Sequence, residues 1–375
     1  MKNILITGGA GFIGSRLCVR LFGLGYNVTV MDNLSTQIHG SGESSLFKKI
    51  KNKCTFIKGD VRNKDDWKKA IENQQIVIHF AAETGTAQSM YEEKKYNDVN
   101  VAGTRHLIDI LLNTKHNVNK ILIASSRSIY GEGKYLCANH GESYPVKRND
   151  TDLQRANFNP RCSICSAELQ LVGTDEKSKI HPSSIYGITK YKQEEMILDI
   201  GKSLKIPVVS LRYQNVFGPG QSLLNPYTGI LSIFSTRILN GNDLDIYEDG
   251  NESRDFVYIE DAVDATILCL EKDAANGEVF NIGSGVPTSV MQVALSLKRL
   301  YNSNVNISVS GRYRKGDIRH NYADLAKIKH ILGFIPKYTF NQGIIEFVKW
   351  VKKQDIMEDK YESSINELKK RGLIK

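Results

Sequence analysis

No stretch of this chain approaches the roughly twenty consecutive apolar residues that a membrane-spanning helix needs, so no membrane partner is expected. Met1 leads straight into a strand-like run with neither a signal peptide nor an anchor, and the cytoplasm is the expected compartment. There is no internal repeat, which excludes a repeat-stacked architecture. Lys and Arg exceed acids enough to give a net charge of +9, yet they are interleaved with acids and form no basic stripe. A nucleic-acid partner is therefore not expected, and an anionic small substrate suffices. Only six cysteines occur, and in a cytosolic chain they stay reduced, which excludes a disulfide framework. With 41% hydrophobic and 24% charged residues in 375, the chain can bury the core of one large domain plus a smaller one.

The richest stretch is Thr7-Gly8-Gly9-Ala10-Gly11-Phe12-Ile13-Gly14, which follows the apolar run Ile4 to Ile6 and opens an amphipathic run ending near Leu24. This predicts strand, glycine turn and helix. Gly8 supplies the left-handed turn, Gly11 lets a diphosphate approach the backbone, and Gly14 lets the helix pack closely. The helix N-terminus then faces the phosphates. A second strand, Asn27 to Met31, ends in Asp32, whose carboxylate suits both hydroxyls of an adenosine ribose and repels a 2′-phosphate. NAD is expected rather than NADP.

Further strands are predicted at Cys54 to Lys58, leading to Asp60-Val61 near the adenine, at Ile76 to Phe80, leading to the small Ala81-Ala82, and at Ile121 to Ala124, leading to Ser125-Ser126. A long helix is predicted over about Ser89 to Asn113, another over about Ser184 to Lys202, and a sixth strand over Val208 to Arg212. The alternation predicts an α/β fold: a Rossmann-type, doubly wound parallel sheet with its ligand at the carboxyl ends of the strands. Residues 1–212 are assigned to this dinucleotide-binding domain and 213–375 to a smaller α/β substrate-binding lobe, of which about 255–285 returns to the first domain. The tail from Lys352 alternates acids and bases and is expected to be a solvated helix.

Between Gly131 and His181 periodicity stops and the composition turns polar. Cys137 and His140, then 21 residues, then Cys162 and Cys165 have the two-pair spacing of a tetrahedral zinc site. A zinc-ribbon-like insert over about 132–182 is expected, with His181 an alternative to His140, and a structural metal supplying folding energy that so polar a segment lacks. Cys18, Cys54 and Cys269 sit in apolar runs and read as core packing.

With Tyr186-Gly187-Ile188-Thr189-Lys190 downstream of the glycine turn and Ser125-Ser126, the chain resembles the extended short-chain dehydrogenase/reductase family, specifically its NAD-dependent nucleotide-sugar epimerases and dehydratases. His79-Phe80-Ala81-Ala82, Leu211-Arg212-Tyr213-Gln214-Asn215, Arg254-Asp255-Phe256-Val257 and Arg314-Lys315-Gly316-Asp317 carry the resemblance in the family's order, over residues 1 to about 350. The loop Gly218 to Gly229 and the Cys-bearing insert are most similar to the dTDP-L-rhamnose 4-epimerase branch. The cofactor set is then Gly8, Gly11, Phe12, Ile13, Gly14, Asp32 and Asn33 at one end of NAD. It continues through Asp60, Val61, Phe80, Ala81, Ala82 and Asn100 to Tyr186 and Lys190. For the nucleotide-diphosphate sugar the resemblance implies Thr86, Ser126, Asn215, Arg254 and Arg314, the two guanidinium groups on the diphosphate. It also implies a homodimer through the helices at about Ser89 to Asn113 and Ser184 to Lys202.

Tyr186 and Lys190 are four apart on one helix face, so the ammonium favours the phenolate of a group whose free pKa is about 10. Ser126 is placed to hydrogen-bond the sugar hydroxyl while Tyr186 takes its proton and hydride passes to NAD⁺. Return of hydride after the 4-ketosugar has turned over inverts carbon 4: an isomerase of carbohydrate metabolism. Inversion at carbon 2 stays open. A 4,6-dehydratase needs an acid and a base after the catalytic hydroxyl residue, where this chain has Arg127 and Ser128. A non-catalytic NAD-binding scaffold with a zinc interaction module is the reading from another class. Glu83-Thr84-Gly85-Thr86 departs from the UDP-glucose 4-epimerase pattern and makes that substrate less favoured.

Overall fold

The computed structural model describes residues 2–40, 44–225 and 229–375. Ser41, Gly42 and Glu43 of the polar loop after Asp32, and Pro226, Tyr227 and Thr228 of the loop Gly218 to Gly229, lie outside the described residues.

Seven strands form one parallel sheet: β1 (Asn3–Thr7), β2 (Asn27–Asp32), β3 (Thr55–Lys58), β4 (Ile76–His79), β5 (Lys120–Ser126), β6 (Val208–Tyr213) and β7 (Val279–Ile282). Their order is β7-β6-β5-β4-β1-β2-β3. The chain builds outward from β1 to β3, then returns to β4 on the other side of β1. A crevice opens at that reversal, outside the carboxyl ends of the strands. The register sets Thr7 level with Met31 and His79, His79 with Ile123, and Ser126 with Tyr213.

Both faces of the sheet are covered, so β1 and β4 to β6 are buried nearly throughout and carry consecutive apolar residues rather than a strict alternation. One face packs on α1 (Phe12–Gly23), with Leu17 and Leu21 against Ile4 and Ile6. The other face packs on α2 (Lys64–Ile71), α3 (Gly103–Asn113) and α4 (Ile185–Leu204), through Trp67, Leu107 and Ile197. α4 begins where the Ser184 hydroxyl accepts from the Gly187 amide at 3.1 Å, a hydroxyl cap that fixes the start of the helix bearing Tyr186 and Lys190.

The long helix expected over Ser89 to Asn113 is interrupted. Short α-turns at Thr86–Ser89 and Glu93–Tyr96 lead into a π-helical turn, Asn97–Ala102, before α3. The extra residue per turn lets Asn100 face inward, where its carboxamide bonds the backbone of Glu83 and the Thr189 hydroxyl.

The second lobe contains α5 (Ile230–Leu239) and strands at Asn215–Phe217, Ser253–Tyr258, Pro287–Ser289 and His320–Asn321. α6 (Ile259–Glu271) and β7 return to the first layer, α6 beside α1 and β7 at the sheet's end. α7 (Val290–Tyr301) and α8 (Phe340–Val351) complete the lobe. The tail is not solvated all round: α9 (Tyr361–Lys370) buries Tyr361, Ser364, Ile365 and Leu368. Its charges occupy the opposite face, and the sequence shows those more plainly than the four buried positions. Within the insert, Tyr135–Cys137, Gly141–Ser143 and Gln170–Leu171 form a three-stranded antiparallel sheet. No helix among the described residues is long and apolar enough to cross a membrane.

Candidate active site

A cavity of about 940 Å³ runs along the carboxyl edge of the sheet into the second lobe, large enough for a dinucleotide end to end with a second ligand. At one end lies the glycine turn. Gly8 has φ +68°, and a side chain there would meet the Ala81 amide nitrogen at 2.8 Å. At Gly14 a Cβ would come within 2.5 Å of the Gly8 carbonyl oxygen, so this glycine lets α1 close on the turn itself rather than on the strand. α1 has no side-chain cap and no acid in its first turn, which leaves its N-terminal amides and positive dipole end for an anion.

Asp32 is buried at the end of β2, and its Oδ2 accepts from the Ala10 amide at 3.0 Å while Oδ1 accepts from Leu34 at 2.9 Å. The carboxylate thus fixes the turn as well as facing the cavity. Gly11, Phe12, Ile13, Asn33, Val61, Phe80, Ala81 and Ala82 also line it. Two residues expected at the cofactor do not. Both oxygens of Asp60 are taken by Arg62 and Asn33, because the chain turns there and Arg62 folds back. Asn100 is spent on Glu83 and Thr189, holding the strand end to α4.

At the middle of the cavity stand Ser126, Tyr186 and Lys190. The Ser126 hydroxyl lies near enough to the Tyr186 phenol to favour its ionised form. Burial raises the Tyr186 phenol above its ordinary value, opposed by the Ser126 hydroxyl and the charge of Arg127. Burial also pulls Lys190 down to about 7, with Glu194 pushing the other way. The Lys190 ammonium donates to Gln193 Oε1 at 2.6 Å, and the Gln193 carboxamide nitrogen donates to Thr104 Oγ1 at 2.8 Å. Thr104 in turn meets His79, whose other ring nitrogen lies 2.7 Å from Thr7 Oγ1. Burial and the Lys190 charge hold His79 down to about 3, so it is neutral. Gln193 and Thr104 are site residues that the motif reading missed; Thr104 is a polar side chain on an otherwise apolar buried helix face, whereas Gln193 sits among the buried polar residues Thr189, Lys190 and Glu194 and carries no such signal.

Arg127, set aside as neither acid nor base, lies in the cavity beside Ser126, its Nε donating to Asn215 Oδ1 at 3.1 Å. Burial and the neighbouring Arg254 lower it to about 9, still cationic at neutral pH. The cavity also holds Arg254, Arg314 and Asp317, and Thr86 lines it. Arg254 is largely committed to protein: Nη2 donates to Asp317 at 2.9 Å and Ile318 O at 2.8 Å, and Nη1 to Arg319 O at 3.0 Å and Ser253 O at 2.9 Å. Arg314 lies over the Tyr247 ring, 5.0 Å from its centre, and its buried Nε has no hydrogen-bond partner among the described residues. Three guanidinium groups against Asp317 make this end an anion site.

Away from the cavity, the ligand atoms of Cys137, His140, Cys162 and Cys165 all lie within 4.8 Å of one another. Cys137 Sγ is 3.5 Å from His140 Nδ1 and 3.6 Å from Cys165 Sγ, and Cys162 Sγ is 3.6 Å from His140 Nδ1. Those are the edges of a tetrahedron with metal–ligand distances of about 2.0–2.3 Å. The backbone amides of Cys165 and Ile164 hold the Cys162 thiol down to about 6. His181 stands apart, bonded to Lys179 O. Cys18 and Cys269 are buried and Cys54 half-buried.

The profile of the NAD dependent epimerase/dehydratase family matches residues 4–151 and 165–283. A dTDP-L-rhamnose 4-epimerase of Burkholderia thailandensis is 37% identical over 353 residues, 93% of this chain and 95% of that one. Among solved structures, the UDP-glucose 4-epimerase of Thermotoga maritima with UDP-glucose is similar at 30% identity and a TM-score of 0.74, covering 94% of this chain and 99% of that one. A Bacillus cereus UDP-glucuronic acid 4-epimerase, in complex with UDP-glucuronic acid and NAD, is similar at 25% identity, a TM-score of 0.74 and the same coverage.

Proposed function

Since the chain belongs to the NAD dependent epimerase/dehydratase family, we propose that it inverts carbon 4 of the sugar in a nucleotide-diphosphate sugar, using NAD that stays bound. The observation that carries this is one cavity with Ser126, Tyr186 and Lys190 at its middle, a phosphate-accepting helix end on one side and Arg314 with Arg254 on the other. Bound NAD supplies a reversible hydride acceptor. Gly8, the α1 amides and Asp32 would hold it, and a carboxylate at the end of β2 leaves no room for the charge of a 2′-phosphate.

Tyr186 Oη takes the proton of the sugar 4-hydroxyl, and Ser126 fixes that hydroxyl by a hydrogen bond. The Ser126 hydroxyl and the charge of Arg127 favour the phenolate against the burial that opposes it. Arg314 and Asn215 grip the diphosphate, with Arg254 adding its charge, so the 4-ketosugar is free to present its other face. Proton return from Tyr186 then closes the cycle with inverted configuration. Dehydration would need an acid and a base near carbons 5 and 6, and Arg127, bonded to Asn215, serves as neither.

We read the Cys137, His140, Cys162 and Cys165 cluster as a structural zinc site, since four protein ligands leave no open coordination position. We read α3 and α4 as the contact of a homodimer, because Leu112 and Ile188 on them are about half exposed, at 52% and 50%; a monomer by light scattering would remove that reading.

The test of the main reaction is incubation with UDP- and dTDP-linked sugars, followed by NMR of the products. The expected result is a C4 epimer with no net consumption of NAD. A 4-keto-6-deoxy product, or stoichiometric NADH, would overturn it.

A further inference from the structure

The last fifteen residues hold the anion-binding end of the cavity in place, although family motifs lie upstream of them. Residues 373–375 run antiparallel to 313–315, the segment that carries Arg314. The Tyr313 amide donates to Lys375 O at 2.9 Å, the Lys375 amide returns to Tyr313 O at 3.1 Å, and the Lys315 amide donates to Leu373 O at 2.9 Å. Arg314 and buried Ile374 are therefore paired across this short ladder, which fixes the backbone on both sides of the arginine. Lys375 Nζ also reaches Asp150 of the insert at 2.8 Å, where Lys315 lies at 3.3 Å.

The same tail sets the side chain. Arg314 lies on the Tyr247 ring, and the Tyr361 hydroxyl, at the start of α9, donates to the Tyr247 hydroxyl at 3.3 Å. Tyr361, Ile365, Leu368 and Ile374 form one apolar cluster with Tyr247. Tyr361 is itself anchored, with Arg237 4.3 Å from its ring centre and Arg237 paired with Asp359 and Glu362 at 3.3 Å. Tyr361 also faces the cavity. The tail thus pairs with the backbone of Arg314 and buttresses its ring platform, while the Arg314 Nε has no hydrogen-bond partner among the described residues.

We infer that residues 361–375 are a positioning element of the substrate site, holding Arg314 where it meets an anionic diphosphate. This rests on the nucleotide-sugar reading above. Arg314 without its platform would adopt many rotamers, and binding would then bear the cost of ordering it.

The experiment compares the full chain with a form ending at Gly372 and with the full-length Ile374→Ala and Tyr361→Phe variants. Calorimetry measures binding of UDP and of dTDP, and separately of NAD. Loss of one charge-assisted phosphate contact is worth a factor on the order of 10 to 100. Truncation is expected to weaken the nucleoside diphosphates by about that factor and to raise KM more than it lowers kcat, with NAD affinity unchanged. The point variants are expected to move the same way by less. Unchanged diphosphate affinity in the truncated form would overturn the inference. Should truncation abolish NAD binding as well, the two point variants decide, and unchanged diphosphate affinity in both overturns it. If the full chain itself binds neither UDP nor dTDP, the nucleotide-sugar reading fails, and the inference with it.

Discussion

Tyr186 has the most opposed surroundings of any reacting group in the cavity. Burial disfavours its phenolate, and Ser126 and Arg127 favour it. Lys190, though four residues away, hands its ammonium to Gln193, so its contribution acts through charge and through whatever occupies the cavity. Replacing Tyr186 by Phe removes the transferable proton and little else. We expect turnover to fall by a factor on the order of 10² to 10⁴ or more while NAD and nucleotide-sugar affinities stay close to wild type. A Phe variant turning over at a near-normal rate would sink the mechanism.

Asp32 makes a different kind of prediction, because one carboxylate both holds the Ala10 amide and faces the ribose end of the cavity. Asp32→Asn keeps an acceptor for Ala10 and removes the charge. It should retain the fold, bind NAD more weakly and lose much of the preference over NADP. Titration of both dinucleotides by fluorescence reads this directly, and a wild-type protein that favours NADP would contradict it. Asp60, one strand further along the edge, shows what sequence position alone misses. Its place after β3 suggested the adenine, but Arg62 two residues later claims both its oxygens.

At the scale of elements, strand–turn–helix units were legible because a parallel sheet covered on both faces writes itself as apolar runs, as in Ile4 to Ile6 and Ile121 to Ile123. The π-turn at Asn97–Ala102 was not legible, since one extra residue hardly changes a helical pattern while it redirects Asn100. Nor was the role of α9, whose two aliphatic anchors are outnumbered by charges. The second lobe could be named only by contrast, because its strands other than Ser253–Tyr258 are two or three residues long and its pairings join distant parts of the sequence, such as Ser253 with His320.

The insert was read from four residues, and its packing explains why they matter. Tyr135, Cys137, Cys162 and Leu169 form its own small core, so two of the four proposed ligands are also half of the apolar interior. Such a core cannot stabilise about fifty residues without help. Elemental analysis should find about one zinc per chain, lost in Cys162→Ser and Cys165→Ser. Chelation should lower the melting temperature and open the segment around Tyr135–Ser143 to proteolysis, with NAD still bound. Metal-free protein carrying a protease-resistant insert would remove zinc from the account.

Across the whole molecule, buried titrating groups of opposite habit predict an unusual pH profile. Burial holds both His79 and His320 down to about 3, below the histidine value of 6.5, and pushes Glu132 and Glu252 up to about 7, above the glutamate value of 4.5. For each histidine the unfolded chain binds the extra proton below pH 6.5, so stability is lost as pH falls from 6.5 towards 3. For each glutamate the folded chain binds it first, so stability is gained as pH falls from 7 to 4.5. Between about 6.5 and 4.5 two losses and two gains cancel. Below 4.5 these two glutamates are protonated in both states and no longer offset the histidines, each of which costs about 1.4 kcal/mol per pH unit. Asp60, held down to about 2, adds to the loss below its ordinary value of 3.8. Lys190, at about 7 when folded against 10.5, favours the folded chain increasingly as pH rises between those values. Denaturant unfolding should therefore give a plateau from pH 6.5 to 4.5 followed by a steep fall. Glu252→Gln removes one of the two gains, and the plateau should tilt, losing about 1.4 kcal/mol per unit on the way from pH 6.5 to 4.5. A variant whose plateau stays as flat as wild type would show that Glu252 is ionised throughout, paired with Arg254 rather than isolated by burial.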